Sequence, residues 1–185
     1  MERNHAEDDL KAIRQIMERT RKIAGGGGGW IMVLWGGIWF VGFLVSQFVQ
    51  QSAAPGWIWM ALNLLGMGGT IWLALRMQGR GVSSPFWRPI VVWWASLIAF
   101  DFLVIWLFHI STGRDLLLLI ILSIALGYVQ FGLFTHWVIS ATGLLLAVLA
   151  VGATLLFPAY FFLAMGVLGG GVLAGTGLWF VRHER

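Results

Sequence analysis

Long runs of apolar residues dominate the chain, and short polar segments separate them. A helix needs roughly 20 residues to cross about 30 Å of hydrocarbon, because it rises about 1.5 Å per residue. Six runs reach this length and predict an all-α integral membrane bundle of six transmembrane helices. The predicted spans are residues 30–50, 56–75, 89–108, 116–134, 137–157 and 160–181. Only Thr135 and His136 separate the fourth span from the fifth, so a tight hairpin is required there.

The segment before the first span has a different pattern. Side chains suited to an apolar face recur at spacings of three and four, at Leu10, Ile13, Met17, Thr20 and Ala24. This spacing predicts an amphipathic helix over residues 8–24, which would lie on the inner leaflet, dock under the bundle or bind a partner protein. Five glycines then form a hinge. The chain therefore divides into residues 1–29, a transmembrane domain over residues 30–181 and a tail over residues 182–185.

Basic residues collect on one side of the predicted bundle. They precede the first span, separate the second from the third and follow the sixth, at Arg3, Lys11, Arg14, Arg19, Arg21, Lys22, Arg76, Arg80, Arg88, Arg182 and Arg185. Only Arg114 falls on the other side. Because cytoplasmic loops carry the excess of Lys and Arg, we expect both termini to be cytoplasmic and the protein to lie in the inner (plasma) membrane.

Composition narrows the functional classes. Hydrophobic residues make up 59% of the chain and charged residues 11%, against about 25% charged in soluble domains. The net charge of +4 comes from residues that flank the spans, so it indicates membrane topology and no nucleic-acid partner. Cysteine is absent, and the sequence has no HExxH, CxxCH, GxSxG or P-loop pattern. We therefore predict no catalytic residues, no metal site and no cofactor, and we expect that the protein is not an enzyme.

Two segments of the chain resemble each other when they are aligned at their prolines. Residues 55–68 read PGWIWMALNLLGMG, and residues 158–171 read PAYFFLAMGVLGGG. The second and sixth spans then look like copies of one element, which predicts three hairpins that repeat in parallel orientation. Chance similarity between two glycine-rich apolar helices is the alternative. The middle hairpin, which carries Asp101, differs most from the other two.

Glycine spacing in the sixth span predicts close helix packing. Gly166 and Gly170 are four residues apart, as are Gly171 and Gly175, so each pair shares a helix face. Within one molecule these faces would pack the sixth span against its neighbours. Between molecules they would form a homo-oligomer.

Asp101 is the only carboxylate inside a predicted span, and it is the best candidate for a functional residue. A charge near the bilayer centre costs about 3 kcal/mol on insertion scales, so such a residue usually faces the bundle interior and has a partner. Asn63 and Ser123 lie at similar depths in their own spans, which predicts a polar layer of these three residues. Gln130 and Tyr128, in the inner half of the fourth span, form a secondary polar group.

Three stretches of the sequence carry a family resemblance. They are AIRQIMERTRKIAGGGGGWIMVLWGGIWF (12–40), PGWIWMALNLLGMGG (55–69) and AMGVLGGGVLAGTGLWFVRHER (164–185). They resemble small bacterial multi-pass inner-membrane proteins that are uncharacterised. The resemblance implies a multi-pass inner-membrane protein and supplies no catalytic residues.

These observations leave two functional classes. The preferred hypothesis is a non-enzymatic regulatory or scaffolding subunit that works through helix contacts and through residues 8–24. The alternative is a small transporter or channel for a proton, cation or small solute. In that case Asp101 would act in the polar layer with Asn63 and Ser123, either protonated or solvated by a water-filled cavity or a bound cation.

Overall fold

The computed structural model describes residues 28–49, 54–78, 87–110 and 113–183. All regular elements in these ranges are helical, and six helices are long and apolar enough to cross a membrane. The first five spans are α1 (Gly28–Phe48), α2 (Ala54–Gln78), α3 (Trp87–Phe108), α4 (Gly113–Phe134) and α5 (Trp137–Leu156). The sixth span (Pro158–His183) consists of a 3₁₀ turn (Pro158–Tyr160), α6 (Phe161–Ala164), a π-helical segment (Met165–Gly169) and α7 (Gly170–His183). The prediction of an all-helical protein with six spans is confirmed.

The predicted tight hairpin between the fourth and fifth spans is also confirmed. α4 ends at Phe134 and α5 begins at Trp137. The Nδ1 atom of His136 accepts a hydrogen bond from the Val138 backbone N–H, which satisfies one of the free donors at the start of α5. The predicted amphipathic helix over residues 8–24 lies outside the described residues, and the repeat of three hairpins stays a prediction.

The helices pack in the order α2, α1, sixth span, α5, α4, α3, each against the next. The four middle members form one apolar core. Its fully buried side chains come from α1, α4, α5 and the sixth span, and include Phe43, Ile121, Leu146, Phe161, Met165, Leu173 and Phe180. α2 packs on the outside of α1, and α3 packs on α4. α2 and α3 follow each other along the chain but lie at opposite ends of the packing order.

α1 and the sixth span approach each other closely through glycines at two levels along the helices. A Cβ atom on Gly36 would lie 2.6 Å from the Ala174 backbone nitrogen, and one on Gly177 would lie 2.5 Å from the Gly29 carbonyl oxygen. Backbone contact of this kind gives dense van der Waals packing, the main source of helix association in lipid. Gly170 belongs to the same contact, since its Cβ would lie 2.8 Å from the Gly36 carbonyl oxygen.

Of the four glycines predicted to pack the sixth span, two contact α1 and two do not. Gly166 faces α1, where its Cβ would lie 3.2 Å from the Phe43 Cβ, and Gly170 is also in contact with α1. Gly171 and Gly175 have open space where a side chain would begin, and both are exposed. They do not form the close contact expected within the molecule. Successive helix residues point about 100° apart, so a helix that presents Gly170 to α1 turns Gly171 away from it.

α4 and α5 form the second close pair. A Cβ atom on Gly143 of α5 would lie 2.5 Å from the Ala125 carbonyl oxygen, and one on Gly132 of α4 would overlap the Ser140 backbone nitrogen. The Ser140 hydroxyl donates a hydrogen bond to the Val129 carbonyl oxygen across the same contact, at 2.9 Å. The short hairpin and the two glycines together hold these helices backbone to backbone.

α2 and α3 pack less closely on their neighbours, because large side chains lie between the helix backbones and pack over glycines. Trp35 and Ile38 of α1 lie over Gly66, and Trp94 and Leu97 of α3 lie over Gly127 of α4. Most other apolar side chains of α2 and α3 are exposed. In a membrane these exposed surfaces face lipid acyl chains or another membrane protein.

Replacing Gly36 by Ala tests the contact between α1 and the sixth span. The added methyl group would meet the backbone of Ala174 and Gly170, which cannot move unless the helices separate. We expect Gly36→Ala to lower the free energy of unfolding by about 1–3 kcal/mol, the usual cost of overpacking. Denaturant titration in mixed micelles measures this loss.

The neighbouring Gly37 is the matched control, because its Cβ would have open space around it. Gly37→Ala should leave stability unchanged or raise it by up to about 1 kcal/mol through helix propensity. Equal effects of the two substitutions would contradict a close glycine contact between α1 and the sixth span.

Candidate functional site

Asp101 lies on the one face of α3 that the fold covers. Trp94, Leu97 and Asp101 are spaced three and four residues apart, so they share a helix face, and that face packs on α4. Only 7% of Asp101 is exposed, whereas Phe100 and Phe102 beside it are 55% and 69% exposed. The carboxyl group therefore points into a helix interface and away from the lipid.

Ser123 is the partner of this carboxyl group. Its hydroxyl donates a hydrogen bond of 2.5 Å to Asp101 Oδ1, and the serine is itself 8% exposed. Within the described ranges no Lys or Arg pairs with Asp101; the ion pair found there joins Arg114 to Asp115 on the exposed start of α4. The structure thus brings together two of the three residues of the predicted layer.

Asn63 is not part of this pair. Its side chain is exposed on α2, and its Nδ2 atom donates to the Trp59 carbonyl oxygen one turn earlier, at 2.8 Å. The structure therefore does not bring Asn63 into contact with the other two residues of the predicted layer. Similar depth in the membrane does not make two helices neighbours, and α2 packs on α1 whereas α3 packs on α4.

Gln130 and Tyr128 belong to the same interface as Asp101. The Trp93 indole N–H donates a hydrogen bond to Gln130 Oε1 at 3.3 Å, and the Trp94 ring meets the Tyr128 ring edge to face, with centroids 6.0 Å apart. Both contacts join α3 to α4 at positions nearer the start of α3 than the Asp101 pair. The interface is therefore a continuous mixture of aromatic packing and single hydrogen bonds.

Similar polar contacts join the other neighbouring helices. The Trp59 indole N–H of α2 donates to the Ser46 hydroxyl of α1 at 2.9 Å, and the hydroxyls of Thr142 in α5 and Thr176 in α7 lie 3.0 Å apart. A further bond joins Trp35 of α1 to Thr70 of α2. None of these residues was among the predicted site residues. Their signal is the isolated Ser, Thr or indole group inside an apolar span, but only packing shows which groups meet.

Gln47 makes the polar contact between α1 and the start of the sixth span. Its amide nitrogen Nε2 donates a hydrogen bond to the Ala159 carbonyl oxygen at 3.0 Å, and its Oε1 accepts one from the Leu163 backbone N–H at 3.2 Å. These backbone groups belong to the 3₁₀ turn and to α6. One side-chain amide thus satisfies both a donor and an acceptor where the helix is irregular.

A hollow of about 320 Å³ lies beside the turn between α4 and α5. It is lined by Gly132, Leu133, Thr135, His136, Trp137 and Ser140, so Asp101 is not part of it. The His136 ring packs against Phe180 edge to face, and His183 stacks on Trp179. Across the described part of the chain, no group of three His, Cys, Asp or Glu residues is placed to hold a metal ion.

Comparisons with known proteins return no family for this arrangement. No protein-family model, no curated protein and no solved structure matches the chain.

Replacing Ser123 by Ala tests whether the bond to Asp101 stabilises the bundle. The substitution removes the donor and leaves a buried carboxyl group without its partner among the described residues. We expect the free energy of unfolding to fall by about 1 kcal/mol, as for other hydrogen bonds between membrane helices. Asp101→Asn should cost less, because its amide oxygen can still accept the Ser123 hydrogen bond.

Ser96→Ala is the control for this measurement. Ser96 is an exposed residue of the same helix whose hydroxyl bonds to the Trp93 carbonyl oxygen of its own helix. Its loss should change stability by a few tenths of a kcal/mol at most, since no contact between helices is removed. If Ser123→Ala lowered the free energy of unfolding no more than Ser96→Ala does, the bond between Ser123 and Asp101 would not stabilise the helix contact.

Proposed function

We propose that the protein is a non-enzymatic regulatory or scaffolding subunit of a membrane, and that it acts through contacts between transmembrane helices. The observation that carries this proposal is the burial and hydrogen bonding of Asp101. Its carboxyl group is buried in the contact between α3 and α4 and bonded to the hydroxyl of Ser123. This arrangement suits a group that holds two helices together better than one that binds a passing ion.

The distribution of the other polar groups supports the same proposal. Indole, hydroxyl and amide groups of one helix bond to the neighbouring helix at several points in the bundle. The hollow near His136 lies at the end of α4 and the start of α5, and it is open to the surface. A solute path through the middle of the bundle would instead need polar groups turned toward a shared space.

α2 and α3, the outermost helices of the packing order, provide surfaces for a partner in the membrane. Leu64 and Leu65 of α2 are each 67% exposed, and Phe102 and Trp106 of α3 are 69% and 74% exposed. A helical membrane protein could pack on either surface by the same means that join the helices within the bundle. Residues 8–24, outside the described ranges, are the second contact surface of this proposal.

The proposed location is the inner membrane of a bacterium, with both termini in the cytoplasm. The charge distribution supports this orientation. Arg76 and Arg182 are in the last turns of α2 and α7, whereas Arg114 is at the start of α4, on the other side of the bundle.

A flux assay separates scaffolding from transport. The purified protein and its Asp101→Asn variant are reconstituted into liposomes that report internal pH and cation content. A scaffold predicts that the two proteins give the same background leak. A proton or cation flux that only the parent supports, with the variant still folded, would refute the proposal.

Asp115→Asn is the matched control for that assay. Asp115 is an exposed acid at the outer start of α4, so its substitution removes the same charge far from the helix interface. A transport role specific to Asp101 would leave the Asp115→Asn protein active, whereas a general effect of acid removal would lower both.

Deletion of residues 1–24 tests the other half of the proposal. We expect the shortened protein to keep the unfolding free energy of the bundle and to lose a partner that co-purifies with the full chain from native membranes. Retention of that partner by the shortened protein would show that residues 8–24 do not recruit it.

A further inference from the structure

Asn63 is a polar side chain of α2 whose hydrogen-bonding capacity the fold does not use fully. Its Nδ2 atom bonds to the Trp59 carbonyl oxygen, but its Oδ1 atom accepts no hydrogen bond from any described residue. It lies three residues before Gly66, the middle of the apolar stretch Gly56–Arg76, and its side chain is exposed. Acyl chains offer no hydrogen bonds at that depth, so an unsatisfied amide is unfavourable there.

The surroundings of Asn63 form a stripe suited to helix packing. Gly56, Met60, Asn63 and Met67 follow each other at spacings of four, three and four residues, so they lie along one face of α2. Met60 and Met67 are 49% and 55% exposed, and Gly56 has open space beside it. Alternating steps of three and four residues are the pattern of a seam between two helices. Methionine side chains adapt to the partner surface.

We propose that this stripe, the Asn63 seam (Gly56, Met60, Asn63 and Met67), is a homodimer interface in which α2 packs against α2 of a second copy. Two copies inserted in the same orientation place their Asn63 side chains at the same depth. A carboxamide carries both a donor and an acceptor, so a two-fold axis along the membrane normal lets each Asn63 bond to the other. A partner of different sequence would need a polar side chain at that depth, whereas a second copy always has one.

The opposite face of α2 lacks such a feature. Leu65 is more exposed than either methionine, at 67%, but it is purely apolar and compatible with lipid. A single Asn in an apolar seam also selects the register and the number of helices that associate. The dimer would form whether the protein is a scaffold or a transporter, so this inference stands apart from the proposed function.

Cysteine cross-linking in liposomes tests the seam directly, because the natural chain has no cysteine. Met67→Cys places a thiol on the seam, and Leu65→Cys places one about 200° round the helix. Both positions are one residue from Gly66, so they are matched in depth. With a membrane-permeant oxidant, we expect a disulfide-linked dimer from Met67→Cys and little from Leu65→Cys. Equal cross-linking of both, or of neither, would overturn the proposal.

The amide is tested separately in proteins labelled for energy transfer between copies, while the protein-to-lipid ratio is lowered. Asn63→Leu should raise the dissociation constant about 9- to 400-fold, because both reciprocal bonds of the dimer are lost and each contributes about 3- to 20-fold between membrane helices. Asn63→Gln should recover most of the affinity, because it keeps the carboxamide. If Asn63→Leu associates as tightly as the parent, Asn63 does not hold the dimer and the proposal fails.

A double variant guards against a change in folding or hydrophobicity. Asn63→Leu combined with Leu65→Asn moves the amide to the opposite face of α2 and keeps the composition. It should not restore cross-linking at Met67→Cys if the seam is the interface. Restored cross-linking would show that an amide anywhere on α2 suffices, which would overturn the assignment of this face.

Discussion

Close contact between helix backbones is the interaction on which the rest of this bundle depends. Lipid chains are as apolar as leucine, so the hydrophobic effect does not drive membrane helices together and dense packing must do so. Glycines supply that packing twice, between α1 and the sixth span and between α4 and α5. These two pairs form the core, and they leave α2 and α3 as peripheral helices with one covered face each.

The polar groups of the spans follow from this arrangement. A group that enters the bundle must find a partner on a neighbouring helix or on its own backbone, because the surroundings provide no water. Asp101 and Ser123, Trp59 and Ser46, and Thr142 and Thr176 are three examples of the first solution. Asp101 is thus one member of a set of contacts between helices, and this is the physical basis of the structural role proposed for it.

Asn63 shows the limit of reasoning from depth. The sequence places Asn63, Asp101 and Ser123 at similar levels, but a level is shared by all six helices and does not say which of them touch. The packing order separates α2 from α3, so Asn63 has an exposed side chain and a bond to its own helix. The same fact that removed it from the Asp101 layer makes it the centre of a surface that another molecule can cover.

The glycines of the sixth span and Gln47 show a related limit. Four-residue spacing identifies residues that share a face, and both predicted glycine pairs satisfy it. Only the rotation of the helix shows that Gly166 and Gly170 face α1 while Gly171 and Gly175 face outwards. Gln47 gave no signal beyond a polar residue near the end of a span, because its partners are backbone atoms more than 110 residues away in the chain.

The sequence by itself determined the fold class, the number of spans, their limits to within a few residues and the tight turn at Thr135 and His136. Length and apolar composition decide these features locally, since a helix must be long enough to cross the hydrocarbon and must satisfy its own backbone. Tertiary structure decided the order of the helices, the rotation of each and therefore the partners of Asp101, Asn63 and Gln47. Those features depend on which surfaces fit together between distant segments, and the fit comes from side-chain shape in three dimensions, which no spacing along one helix records.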